Sequence, residues 1–150
     1  MSLTSRTLLN FSVYYAGAIV AITILSAILD TYLQIDAPGG LGVVPFLVAV
    51  IGAGAKLGER LDQIPSSGVL WGLALKLTLT GIVISFVLAA GLIALFMVLA
   101  PAGLDELKGL LEIDATILGV VVLIVALVYL LVARFVLVTG IKSGMKKRNG

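Results

Sequence analysis

The chain has 150 residues, of which 61% are hydrophobic and 12% are charged, and its formal net charge is +2 at pH 7. Soluble domains carry about twice that charged fraction, and so small a chain has too little interior to hide this much apolar surface from water. It contains no Cys and no His, which excludes disulfides, thiol nucleophiles and His-ligated zinc or haem. The composition therefore predicts an all-α polytopic membrane protein with a single domain, 1–150, that binds the lipid bilayer and no nucleic acid.

Four apolar segments follow one another along the chain. A transmembrane helix needs about 20 such residues, and the predicted spans are about 7–29, 39–57, 69–99 and 115–141. The first lacks charge and is too long for the apolar core of a signal peptide, so we predict a retained helix. The second is short and contains Pro45, which leaves a re-entrant hairpin open as the alternative to a crossing.

The link between the third and fourth segments carries its own helical pattern. Leucines recur at helical spacing with charged residues beside them, in the sequence "GLDELKGLLE". This pattern predicts a short helix in the headgroup layer at about 103–112, with an ordinary polar loop as the alternative.

The basic residues indicate the orientation of the four spans. Lys and Arg accumulate in loops that stay on the cytoplasmic side. Four crossings place nine of the ten basic residues on one side and leave only Lys108 on the other. The nine are Arg6, Lys56, Arg60, Lys76, Arg134, Lys142, Lys146, Lys147 and Arg148. We therefore predict a four-transmembrane-helix bundle with both termini cytoplasmic.

Two cations interrupt the apolar runs, Lys76 in the third and Arg134 in the fourth. Both lie near the cytoplasmic ends of their predicted helices, so each long side chain can extend until its charge reaches the headgroups. Alternatively, Arg134 turns inward and pairs with Glu59 or Asp62. The candidate site is therefore a cytoplasmic polar cluster of Glu59, Asp62, Lys76 and Arg134.

Small residues at regular spacing predict where the helices meet, because close backbone approach drives helix association in lipid. They are Ala49, Ala53, Gly54 and Gly58 in the second segment, Gly81, Ser85 and Ala89 in the third, and Gly119, Ala126, Ala133 and Gly140 in the fourth. We expect contacts within the bundle, with a dimer face as the alternative. Tyr14 and Tyr15 are expected to pack, with a hydroxyl contact, in preference to lining a ligand cleft.

The apolar segments contain no Asp or Glu. Proton-coupled transport usually needs such a group at mid-depth, and intramembrane hydrolysis needs an acid pair, an activated nucleophile or a metal set. We therefore expect no enzyme, cofactor or metal site. The leading hypothesis is a non-catalytic accessory or assembly partner of a larger membrane complex, or a self-associating bundle. The alternative is a small-solute transporter or channel whose cytoplasmic mouth is the charged cluster.

Three stretches carry a resemblance: "GAGAKLGER" at the end of the second segment, the link "QIPSSG", and the tail "VYLLVARFVLVTGIKSGMKK". On the basis of these three stretches, the chain resembles the ABZJ-type family of small bacterial membrane proteins. The resemblance covers nearly the whole chain. The resemblance implies a four-helix fold and a bacterial inner-membrane location, and it brings no activity with it.

Overall fold

A computed structural model describes residues 3–34, 43–99 and 114–149 of the chain. All regular structure within these ranges is helical, which confirms the predicted fold class. The helices are α1 (Leu3–Ile28), α2 (Val44–Gly58), α3 (Ser67–Leu99) and α4 (Ala115–Asn149). One π-helical turn, Leu29–Leu33, continues α1.

Three of these helices, α1, α3 and α4, are long and apolar enough to cross a membrane. The fourth, α2, is shorter: its 15 residues cover roughly 22 Å at the α-helical rise of about 1.5 Å per residue, less than the hydrocarbon thickness of about 30 Å. The predicted second segment began at 39, and 39–42 lie outside the described residues. The predicted interfacial helix at about 103–112 lies outside them as well.

The ends of the helices follow local chemistry. Pro45 lies in the first turn of α2, where its missing N–H costs no intrahelical bond. Asp114 precedes α4, and its carboxylate accepts the backbone N–H of Thr116 at 2.7 Å. This hydrogen bond stabilises the ionised form and lowers the pKa of Asp114. α4 continues beyond the apolar run that ended at 141, because lysine and arginine are good helix formers that suit the negative end of a helix dipole.

The shortest described helix, α2, makes most of the contacts between helices. α2 makes the most extensive contacts, first with α4 and then with α1, while α3 contacts α4 and α1 on the other side. The helices therefore form a ring in the order α1, α2, α4, α3.

Glycines bring α2 and α4 together at backbone distance. A Cβ on Gly54 would lie 2.9 Å from the carbonyl oxygen of Leu137, and one on Gly140 would lie 2.6 Å from that of Ile51. Gly58 and Gly144 face carbonyl groups of the opposite helix in the same way. Each helix thus presents a pair of glycines four residues apart, and the two pairs interlock.

An aromatic cluster lies at the other end of α2, in its first turn. The ring centroid of Phe46 lies 5.7 Å from that of Phe11, 6.0 Å from that of Tyr15 and 4.6 Å from that of Tyr129. Gly81 of α3 closes the fourth side, since a Cβ there would lie 3.1 Å from the Phe46 ring. All four helices therefore meet at the first turn of α2.

Beyond this cluster the bundle opens. We call residues 16–28 of α1, 86–99 of α3 and 115–128 of α4 the open half, and the remainder of the bundle the packed half. Many large apolar side chains here are exposed, for example Phe86, Val87 and Leu123 at 62%, 65% and 62%. In a bilayer these surfaces contact lipid or another membrane helix.

Replacing Gly140 with Ala should destabilise the fold by about 2 kcal/mol, because the new methyl group meets the backbone of α2, which cannot move away alone. The matched control is Gly91→Ala, where the described residues of the other helices leave the space within 4 Å of the new Cβ open. The control should stabilise α3 by about 0.5 kcal/mol, since alanine is the better helix former. Unfolding by SDS in mixed micelles, followed by circular dichroism, measures both. Equal effects of the two substitutions would contradict the interlocked contact.

Candidate functional site

The two predicted carboxylates hold the end of α4 to the link between α2 and α3. The carboxylate of Glu59 lies 3.0 Å from the Nζ of Lys56 and 3.6 Å from that of Lys147. Asp62 accepts a hydrogen bond of 2.9 Å from Arg148. We call these five residues the tail clamp.

The tail clamp is held by charge at an exposed surface. The hydrogen bond from Lys56, with the nearby charges of Lys56 and Lys147, lowers the pKa of Glu59 below its ordinary value of 4.5. The side chain of Asp62 is 89% exposed, so water and salt screen its pair with Arg148. The clamp therefore orients the end of α4 and adds little to the stability of the bundle.

Arg134, a third residue of the predicted cluster, contacts side chains outside the cluster. Its Nη2 donates a hydrogen bond of 3.4 Å to the hydroxyl of Ser67, at the first residue of α3. Its guanidinium lies 5.7 Å from the centroid of the Trp71 ring. Within the described residues, Arg134 pairs with neither Glu59 nor Asp62.

The structure therefore does not bring the four predicted site residues into one cluster. The side chain of Arg134 extends toward the basic end of the bundle, the direction that the headgroup interpretation requires. Lys76 is exposed on α3. The role of these residues as a site stays a prediction.

A second candidate site lies at the border between the packed and open halves. The hydroxyl groups of Tyr15 and Ser85 share a hydrogen bond of 2.8 Å between α1 and α3. On one side of this bond is a cavity of ≈ 210 Å³ between α3 and α4, with Phe86 and Val125 in its walls. On the other side is a cleft of ≈ 450 Å³ between α1 and α3.

Pro45, at the start of α2, forms one end of the cleft. Its walls are apolar or small: Ile19, Ser26, Ala89 and Leu92 line it. Such walls suit an apolar occupant, because a buried charge would find no counter-ion among the side chains that line the cleft.

The chain matches no protein-family model, and comparison with curated proteins and with solved structures found no match. The resemblance to the ABZJ-type family therefore stays a prediction.

Some of these contacts had no counterpart in the sequence interpretation. Gly144 lies four residues after Gly140 in "TGIKSG". It was not predicted as a packing residue because it lies beyond the predicted apolar span, in a stretch that contains Lys142. A search for small residues four apart, continued into the basic tail, would have found the pair. Nothing in the sequence links Tyr15 to Ser85, which are 70 residues apart. Their hydrogen bond is the hydroxyl contact that Tyr15 was expected to make, but Tyr15 also lines both cavities, which was the less favoured alternative.

Acidification should release the end of α4 from the tail clamp. Glu59 stabilises the docked tail while it is ionised, so this contribution is present above pH 4.5 and disappears as the pH falls through the lowered pKa. Because the chain contains no Cys, spin labels can be attached at Lys146→Cys, beyond the glycine contact, and at Ser66→Cys alone. The distance distribution between them should be narrow at pH 7 and broaden below pH 4.5.

The control for the pH experiment is Glu59→Gln, which removes the charge at every pH. It should give the broad distribution at pH 7 already. The same pH response in this variant and in the parent chain would show that Glu59 does not hold the tail.

Proposed function

We propose that the chain crosses the bacterial inner membrane four times, with both termini in the cytoplasm. The proposal is supported by the proximity of basic residues from three helices. Arg6 of α1 and Lys56 of α2 line one groove, and Lys147 of α4 approaches Glu59. These contacts put the start of α1 and the ends of α2 and α4 at one end of the bundle, the arrangement that an even number of crossings produces.

Topology can be tested in intact cells with cysteine variants at the two ends, Ser5→Cys and Ser143→Cys. We expect neither to react with a membrane-impermeant maleimide until the membrane is opened, because both positions belong to the basic end. Labelling of either position from outside would overturn the proposed orientation.

We infer that the protein is non-catalytic and acts by binding a further membrane helix, as an accessory subunit of a larger complex or by self-association. The observation that carries this proposal is the cleft between α1 and α3 in the open half. The small residues of α3 change their environment along one line. Gly81 is buried against Phe46, Ser85 bonds to Tyr15, and Ala89 is exposed in the wall of the cleft.

Gly81 and Ser85 are thus covered by other helices of the chain, whereas Ala89, the next small residue on the same face, faces the cleft. In lipid, helices associate through close packing at such positions, since apolar surface alone gives no drive. A helix that docks in the cleft would extend the contact that α2 makes in the packed half.

The alternative, a transporter or channel for a small solute, draws support from the two cavities that meet at the bond between Tyr15 and Ser85. Its predicted charged mouth has less support, because Glu59 and Asp62 are engaged in the tail clamp and Arg134 contacts Ser67. Solute flux into liposomes that is present with the parent chain and lost with Arg134→Ala would favour this alternative.

Assembly through the cleft predicts a particle larger than the 15.5 kDa chain on native sizing after gentle extraction. Ala89→Trp should fill the cleft and shift most of the protein to the monomer. Val83→Trp is the matched control, since Val83 is an exposed position of the same helix and does not line the cleft, and it should leave the particle intact. Copies with two different tags distinguish self-association from a separate partner. A parent chain that is a stable monomer without a co-purifying protein would refute the proposal.

A further inference from the structure

A basic groove runs between the start of α1 and the end of α2. Arg6 and Asn10 of α1 lie on one side of it, and Lys56 of α2 and Arg60 of the following turn lie on the other. The groove is lined by Arg6, Thr7, Asn10, Lys56, Leu57 and Arg60. We call these six residues the basic groove.

The groove has an excess of positive charge. Of its three cations, Lys56 has a carboxylate partner, Glu59 at 3.0 Å. Within the part of the chain that the structure describes, the side chains of Arg6 and Arg60 have no ion pair and no hydrogen bond. In the tail clamp, by contrast, both Lys147 and Arg148 have a carboxylate partner.

The size of the groove limits what it can hold. Its floor is formed by Thr7 and Leu57, each only 3% exposed. Its volume is ≈ 10 Å³, close to the minimum that a single water molecule needs. The groove is therefore shallow: it can take an oxygen atom of a phosphate group and leaves the rest of a larger ligand outside. A ligand held here therefore needs further contacts outside the groove.

Toward the middle of the bundle, the groove leads onto an apolar surface. The ring of Tyr14 covers Gly52, where an added Cβ would lie 2.8 Å from its Cδ2 atom. Val13 of α1 and Val48 of α2 are exposed on these two helices at 62% and 51%. A hydrocarbon chain attached to a phosphate in the groove would find apolar contacts along α1 and α2.

We propose that the basic groove binds the phosphate of an anionic phospholipid of the phosphatidylglycerol class. Guanidinium groups offer paired donors that match phosphate oxygens, and cations at the membrane surface attract anionic lipids. The shallow groove holds the headgroup, and the acyl chains lie on the apolar surface beside it. A lipid bound in this way ties the start of α1 to the end of α2.

Native mass spectrometry of the full chain in detergent, with added phosphatidylglycerol or phosphatidylcholine, tests the proposal. The parent chain should retain phosphatidylglycerol in preference to phosphatidylcholine. Arg6→Gln together with Arg60→Gln should reduce the retained phosphatidylglycerol by about tenfold or more, since each cation contributes to the attraction. Because both side chains are exposed, the variant should keep the helical content of the parent chain, measured by circular dichroism.

The matched control is Lys142→Gln together with Lys146→Gln, which removes the same charge from exposed positions of α4. It should change retention less than twofold, because neither lysine lines the basic groove. Equal losses in the two double variants would overturn the proposal, since attraction by net charge alone would then account for the binding. Equal retention of the two lipids by the parent chain would overturn it as well. If the arginine variant does not fold, Arg60→Gln alone should still lower retention about fivefold.

Discussion

Close approach of two backbones is the interaction on which this fold depends. Lipid removes most of the hydrophobic force that would hold helices together in water. The glycine pairs of α2 and α4 compensate, because they let the backbones meet where any side chain would intervene. α2 is short, yet it makes the most extensive contacts in the bundle, because Gly54 and Gly58 face α4 while Phe46 and Gly52 face α1.

Because α2 is short, it fills only the packed half of the bundle and is absent from the open half. Where α2 is present, small residues and an aromatic cluster fill the centre, and the buried core lies there. Beyond Phe46, the described helices enclose cavities on both sides of the bond between Tyr15 and Ser85. The short length of α2 thus gives the protein a packed half and an open half with exposed apolar surface, and we propose the open half as the assembly surface.

The charged residues separate in a similar way. Glu59 and Asp62, which follow α2, pair with Lys147 and Arg148 at the end of α4, where an exposed clamp orients the tail. The arginines between α1 and α2 keep their charge available. Two neighbouring surfaces at one end of the bundle therefore differ in what they attract, although the sequence around them is similarly basic.

The sequence by itself determined the helical class and the positions of the three long helices, because an apolar run of that length leaves the backbone only one way to satisfy its hydrogen bonds in lipid. It also identified Gly54 and Gly140 as packing residues from their spacing. It did not determine which small residues are used: among the described residues, no neighbouring helix comes within 4 Å of a Cβ added to Gly119, while Gly144 contacts α2. Nor did it pair the charges, since Arg134 bonds to Ser67 and Glu59 to Lys147. Only the tertiary structure decided these points, because spacing along one helix specifies a face, whereas the register and rotation of the neighbouring helix decide which residues on that face are covered.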